Sequence, residues 1–403
     1  MTERILDISD RPARLTASGG LLVIDLGKPW GAHVGGEPGT SSPVQESHRS
    51  LAPSRAEEGG RARRDPESGL SARDTQTQTI PFADIAVLVT SHPQISFTQA
   101  VLAGLAAAGG MFIVSNEKHL PAAMLLPLST HSTQTERFAR QAGVSLPTRK
   151  RAWQQIVRAK LRAQARLLEE ATGSDGGLGV MAGKVRSGDP DNLEAQAARI
   201  YWQALFGRGA SGEAFRRDPD GGGVNVHLNY GYAVLRAIVA RALCASGLHP
   251  SLGVHHHNRY DTFCLADDLM EPFRPLVDRV VARLHRSQLA SSDEEGAGGG
   301  GKTPALAADV PPGKPTPPPH AVIPAQAGIH SPAIQLDQAS KKAILEGLLV
   351  RYTADGESRT LFDWVSRAAS SLVGLIEDRE DWLNFPDLLP DTRHLAPVCY
   401  AAP

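Results

Sequence analysis

The sequence predicts an α+β chain: a small N-terminal β-rich domain over residues 1–125, then a larger all-α domain over 126–403, with two low-complexity insertions. Three observations predict it. Short apolar runs bounded by glycines and turn residues cluster before residue 125, the pattern of buried strands. After residue 132 apolar residues recur at three- and four-residue steps, the pattern of amphipathic helices. Two stretches, 28–79 and 288–335, are dominated by Gly, Pro, Ser and charged residues. They cannot bury enough apolar area to offset the ordering entropy of about 1–2 kcal/mol per residue, so both are expected to be disordered.

The first ordered segment in this reading is "GGLLVIDLG", residues 19–27, a strand. After the first insertion, "DIAVLV" and "MFIVSN" read as buried strands, and "TQAVLAGLAAAG" between them as a short helix stopped by Gly109. Helix follows "LPAAMLLPLS". In 132–172, Ile156, Ala159, Ala163 and Leu167 mark one face, while Arg151, Gln155, Arg158, Arg162 and Arg166 fall on another. The next helix, "NLEAQAARIYWQALFG", turns Leu193, Ala197, Ile200, Tyr201, Ala204 and Leu205 inward and leaves Glu194 at the border of that face. "NVHLNYGYAVLRAIVARALCASG" is a long apolar helix ending at Gly247, and "LADDLMEPFRPLVDRVVARLHR" continues through Leu276, Val277, Val280, Val281 and Leu284. Amphipathic helix resumes near residue 337, and 386–403 reads as a tail.

A chain of 403 residues has room for more than one domain. Its formal charge of -1 carries no whole-chain basic signature, so contact with nucleic acid would rest on local patches. Cys244, Cys264 and Cys399 are too few and too scattered for a disulfide framework or a zinc knuckle. The N-terminal "MTERILDISDRPARL" lacks a signal-peptide apolar region, and no run reaches the ~18 apolar residues of a membrane span. A soluble, cytoplasmic protein without a membrane partner is the expectation.

The densest chemistry lies in "GVHHHNRYDTFCLADDLMEPFRP", residues 253–275. Asp268 and Glu271 are three residues apart, so their side chains share one turn. Pro272 disfavours helical geometry at Glu271 and predicts a kinked or irregular turn there. Two carboxylates on one turn repel unless a cation or proton lies between them. Carboxylates with an imidazole and no thiolate suit Mg²⁺ or Mn²⁺ better than zinc. A chance histidine run, and an acidic pair that merely favours a helix N-terminus, explain the same residues without a metal.

The ordered series "GGLLVIDLG", "IPFADIAVLVTSHPQISFTQAVLAGLA", "NEKHLPAAMLLPL", "RAWQQIVRAKLRAQA", "NLEAQAARIYWQALF", "NVHLNYGYAVLRAIVARALCASGLHPSLGVHHHNRY" and "LADDLMEPFRPLVD" resembles the universal CRISPR-associated integrase and endonuclease of spacer acquisition. The branch it looks most like belongs to type II systems, those with a single RNA-guided effector nuclease. The resemblance covers nearly all of the chain outside the insertions and the tail. It implies a β-rich N-terminal domain, an α-helical catalytic domain and a homodimer.

It also implies three metal ligands for Mg²⁺ or Mn²⁺. The family's N-x-E-x-x-x-A helix matches Glu194, its G-[FIV]-x-H pattern on "GVHH" matches His256, and the last acidic position matches Glu271, with Asp268 an accessory carboxylate. Much of the family has Asp where Glu271 stands; the longer side chain is familiar in this branch. His255 and His257 stay outside the ligand set. Arg158, Arg162 and Arg166 become a phosphate-contact stripe, and Asn225, Asn229 and Tyr230 supports for the site, for DNA or for the core.

The implied reaction joins the 3′-hydroxyl ends of short DNA fragments into a CRISPR repeat by transesterification. The implied partners are DNA, a second copy of the chain, the small ferredoxin-like CRISPR-associated adaptation protein, and the effector nuclease as a further candidate. Two alternatives stand beside it: a structure-specific nuclease on branched DNA, and a catalytically impaired DNA-binding scaffold.

Overall fold

The computed structural model describes residues 4–9, 11–26, 77–115, 121–127, 131–207, 214–296, 336–391 and 399–400. Its N-terminal part holds eight of the strands: β1 (Arg4–Ile8), β2 (Ala13–Ser18), β3 (Leu21–Leu26), β4 (Thr77–Pro81), β5 (Ile85–Thr90), β6 (Ser96–Phe97), β7 (Met111–Ser115) and β8 (Pro121–Leu125). One helix, α1 (Gln99–Ala107), lies among them, and its chain reverses at Gly109, whose φ of 73° a side chain would resist.

Order therefore begins earlier than the sequence reading placed it. β1 and β2 precede the segment 19–27, and β8 occupies "PAAML", a stretch without a strand pattern. Both early strands are short and interrupted by charged residues, which hid their alternation. β4 also claims residues 77–79 from the end of the first insertion; residues 28–76 lie outside the described residues.

Two sheets form here. One runs β4-β3-β2-β6; the other runs β12-β1-β5-β7-β8, where β12 is Cys399–Tyr400, paired parallel to β1. Part of the expected tail is thus a strand of this sheet. β5 is buried at every position, as a strand covered on both faces must be. Its residues alternate between two cores. Val87 and Val89 belong to the helical core, whereas Ile85 and Leu88 belong to the core shared with the four-stranded sheet. The five-stranded sheet is therefore the floor on which the helices stand, and Tyr230 Oη donates to Asp7 Oδ2 of β1 across that floor at 2.6 Å.

Helices follow: α2 (Gln134–Ala142), α3 (Leu146–Thr172), α4 (Leu178–Lys184), α5 (Leu193–Phe206), α6 (Val224–Ala245), α7 (Cys264–Met270), α8 (Arg274–Gly296), α9 (Gln338–Leu349) and α10 (Leu361–Ile376). α8 continues through Gly296, so the second insertion begins in helix; residues 297–335 are not described. The segment after residue 337 is not all helix. β9 (Arg351–Ala354) and β10 (Glu357–Arg359) form a hairpin through Asp355 and Gly356, with φ of 51° and 79°, the Asp-Gly chemistry of a tight turn. β11 (Leu389–Asp391) adds to β9 from within the expected tail.

The helix that frames the site is α3, 27 residues and so about 40 Å long. Ser145 caps it by accepting from Thr148 N, Pro147 occupies its first turn, and Gly173 at φ 78° ends it. Between α7 and α8 the chain makes a 3-10 turn over Glu271–Phe273, the irregularity expected from Pro272. No described helix is long and apolar enough to cross a membrane.

Candidate functional site

Five segments bring the side chains of the candidate site together. α3 supplies Trp153 and Lys160, α5 supplies Glu194, the loop before α7 supplies His256, the 3-10 turn supplies Glu271, and the start of α8 supplies Arg274. The entry to α5 is held with unusual backbone: Asp189 and Asn192 take φ of 47° and 51°. Both Asp189 carboxylate oxygens accept from the first helical amides, Leu193 N and Glu194 N, each at 3.0 Å. That capping fixes Glu194 in the first turn.

Lys160 lies between the two glutamates. Its Nζ is 2.6 Å from Glu194 Oε1 and 2.6 Å from Glu271 Oε2. Only the first contact is aligned as a hydrogen bond; Glu271 Oε2 is buried without an aligned donor and is held by charge. Arg274 Nε stands 2.9 Å from the other oxygen, Glu271 Oε1. Burial works against a charged Lys160, but the carboxylates of Glu271 and Glu194 outweigh it and hold its pKa above the ordinary lysine value. Burial likewise opposes a charged Glu271, and Arg274 and Lys160 reverse that, holding it well below the usual carboxylate range.

Asp268 is engaged quite differently. It is fully buried. Its Oδ2 accepts from Val254 N at 2.7 Å and His255 N at 2.9 Å; its Oδ1 accepts from His256 N at 3.2 Å and His256 Nδ1 at 2.6 Å. All four of these hydrogen bonds go to the histidine loop, so in this structure both oxygens of the expected accessory carboxylate shape that loop. A carboxylate only accepts, so Nδ1 of His256 carries a proton, and whenever the ring is neutral its lone pair is at Nε2. The Asp268 hydrogen bond holds the His256 pKa above its ordinary value against the opposing effect of burial. Glu271 and Glu194 add to that rise, which puts all three expected ligands in one electrostatic neighbourhood.

Trp153 fixes the loop from the other side. His255 stacks on it at 4.0 Å between ring centroids with 3° between planes, and His256 meets it edge-on at 5.5 Å. His255 is therefore a packing partner, and burial pushes its pKa down. His256 also lines an open cleft of about 310 Å³ that includes Arg149, His257, Asn258 and Arg259.

Beside this centre lies a second buried acid. Asp278 accepts from Tyr201 Oη at 2.6 Å and from Tyr232 Oη, and burial raises its pKa to about 6 although both hydroxyls oppose that. Arg274 lies over the Tyr232 ring at 4.6 Å and Arg217 over it at 5.4 Å. Asn225 and Asn229 accept from Arg217, so they hold that arginine, while Tyr230 is a buried tie to β1.

The arginine stripe on α3 divides. Arg158 donates through Nε and Nη2 to Val185 O, and Arg166 pairs with Asp387 at 2.8 Å, whereas Arg162 is exposed. On α5, Ile200 and Ala204, expected inward, are exposed; the buried stripe is narrower, Ala197, Tyr201 and Leu205. Sequence reasoning missed Lys160 and Trp153. A signal existed: seven residues separate them, two helical turns, with Ile156 between, which puts a lysine on a buried face.

The residues fit a divalent cation by the chemistry of their donors: two carboxylates, one of them with a buried oxygen lacking an aligned donor, and one imidazole with a free Nε2 fixed through a carboxylate on its other nitrogen. Among the described residues, no three His, Cys, Asp or Glu side chains stand ready as a chelating cluster; Lys160 lies between the glutamates.

Comparison with known proteins gives a consistent result. The family model for CRISPR associated protein Cas1 matches residues 58–300. The chain is 41% identical over 219 residues to a CRISPR-associated endonuclease Cas1 of Neisseria meningitidis serogroup C (strain 8013), covering 54% of this chain and 70% of that one. In fold it is similar to a casposase bound to integration product, with TM-score 0.60 and 16% identity over 95% of this chain and 93% of that one. It is also similar in fold to a chain of a Cas6-RT-Cas1–Cas2 complex, with TM-score 0.58 and 14% identity over 94% of this chain and 35% of that one.

Proposed function

The chain belongs to the CRISPR-associated Cas1 family, and from that premise we propose that it is a divalent-metal-dependent DNA integrase and endonuclease. Its reaction joins the 3′-hydroxyl ends of short DNA fragments into a CRISPR repeat. A phosphodiester forms at the attacking 3′-oxygen as another breaks at the repeat edge, and the hydroxyl proton ends on the released 3′-oxygen. One ester replaces another, so no external energy source is needed. Mg²⁺ or Mn²⁺, held by Glu194, Glu271 and His256, would polarise the scissile phosphate and stabilise the leaving oxygen.

The observation that supports this reading is the convergence of Glu194 and Glu271, from separate elements, on a single cation position, the Lys160 ammonium. The chain's own residues then have separable tasks. Asp268 keeps the proton on His256 Nδ1 and so keeps Nε2 available. Trp153 restricts the ring's orientation. Arg274, fixed over Tyr232, places a permanent positive charge next to Glu271, where developing phosphate charge is favoured. Exposed Arg162 is the member of the α3 stripe free to meet a phosphate backbone.

In this reading the protein works in the bacterial cytoplasm as a homodimer, with the small ferredoxin-like adaptation protein as partner, in the branch that has a single effector nuclease. The same site would cleave branched DNA where water takes the place of the 3′-hydroxyl. Strand transfer into a supercoiled plasmid carrying a repeat, with Mn²⁺ or Mg²⁺, the small partner and a short 3′-hydroxyl duplex, tests the proposal. Joined product that vanishes in Glu194→Gln supports integration; cleavage without joining supports the nuclease; DNA binding with neither would favour a scaffold.

A further inference from the structure

We propose that Lys160 is an exchangeable resident cation of the site. Its ammonium balances Glu194 and Glu271 when no divalent ion is bound, and it withdraws when one binds. The inference rests on the metal-site reading above and goes beyond it by assigning a residue outside the ligand set to control metal affinity.

Geometry carries it. The ammonium is 2.6 Å from one oxygen of each glutamate, and these are the two side chains expected to share a metal. Among the described residues, its ion-pair partners are these two glutamates. The side chains are largely shielded, with 12% exposure for Lys160, 24% for Glu194 and 7% for Glu271, so water cannot replace the missing charge cheaply.

The two cations at Glu271 differ in how easily they can leave. Arg274 lies over the Tyr232 ring and pairs with Glu271 Oε1 at 2.9 Å, its Nε likewise without an aligned hydrogen bond. Lys160 carries its charge as a point on a flexible four-carbon stem with no planar group to stack, and its aligned hydrogen bond is to Glu194. The lysine is the group that can be displaced.

Counting charge gives the direction. Two carboxylates against Lys160 and Arg274 sum to zero. A divalent ion added with Lys160 in place would leave two surplus positive charges in a shielded space, whereas withdrawal of the lysine leaves one. A single phosphodiester neutralises that one, so substrate and metal should favour each other's binding. Lys160 therefore weakens metal binding by competition while protecting the metal-free fold from an unpaired buried carboxylate.

The test uses full-length, chelator-treated protein with Mn²⁺ as the probe, read by calorimetry and by melting temperature. Lys160→Met is expected to bind Mn²⁺ about tenfold more tightly than wild type, a difference of about 1.4 kcal/mol. It is expected to melt lower than wild type without metal, and to gain more in melting temperature when Mn²⁺ is added. Equal or weaker Mn²⁺ binding by the variant would overturn the inference. Should the variant fail to fold without metal, wild type answers: acetylation of Lys160, followed by mass spectrometry, is expected to accelerate in saturating Mn²⁺. An unchanged or slower rate overturns it. Glu194→Gln separates the two levels. Wild-type Mn²⁺ binding that survives this change would sink the metal-site reading itself, whereas Glu194-dependent binding with unaltered affinity in Lys160→Met sinks only the role of the lysine.

Discussion

Asp268 and Glu271 stand three residues apart on one turn, both buried, yet they are stabilised by opposite means. Asp268 is surrounded by neutral donors, three backbone amides and an imidazole N–H, which fill both of its oxygens. Glu271 has a cation against each oxygen and no aligned donor at Oε2. The first arrangement occupies both oxygens with hydrogen bonds. The second depends on charge, and one of its cations can be exchanged. Two like charges so close in sequence do not need one shared ion; they can be neutralised separately, one by hydrogen-bond donors and one by cations.

The largest effects should come from neutralising each acid of the cation pair. Glu271→Gln and Glu194→Gln should each reduce strand joining by about a thousandfold or more, as loss of a metal-holding group does. Glu194→Gln should leave the melting temperature close to wild type, because Glu194 is the more exposed partner. Asp268→Ala should do the reverse. It should cost about 3–5 kcal/mol of stability, since it strands buried donors, and reduce joining by only about 10–100-fold through the freed His256 ring. Urea unfolding alongside the joining assay separates the two outcomes.

Asp278 shows a third solution, two tyrosine hydroxyls in place of amides or cations. Its pKa of about 6 in the folded chain lies above the ordinary 3.8. Its contribution to stability is therefore fully present below about pH 4 and is lost as pH rises through about 6. The full span is worth at most about 3 kcal/mol. Wild type should gain stability relative to Asp278→Asn as pH falls from neutral towards 4, measured by urea unfolding at each pH.

The smallest effect concerns α3, where engaged and free groups also alternate. Arg162→Ala should lower the salt slope of DNA binding by about one unit. Arg158→Ala should change that slope less, because its guanidinium is committed to Val185 O. Fluorescence titrations across a salt series would distinguish them.

What the sequence made legible was whatever a local pattern encodes. Pro272 announced the 3-10 turn and the apolar runs announced β5 and β7; of the ligands expected from family motifs, the structure brings Glu194 and Glu271 together at Lys160. The roles of Asp268 and Lys160 were not legible. Each is set by a partner distant in sequence: Asp268 by amides more than ten residues earlier, Lys160 by acids on two other elements. The hairpin at Asp355–Gly356 was readable from its dipeptide but was masked by the helices on both sides. β1 and β2 lacked the uninterrupted alternation that would have revealed them, and β12 is paired with β1 across nearly the whole chain.

The most direct measurement is the anomalous scattering of Mn²⁺ bound to crystals of the wild-type protein. The account predicts one peak about 2 Å from carboxylate oxygens of Glu194 and Glu271 and from His256 Nε2, with Asp268 still bonded to Nδ1. A peak on Asp268, or none between the two glutamates at saturating Mn²⁺, would contradict it.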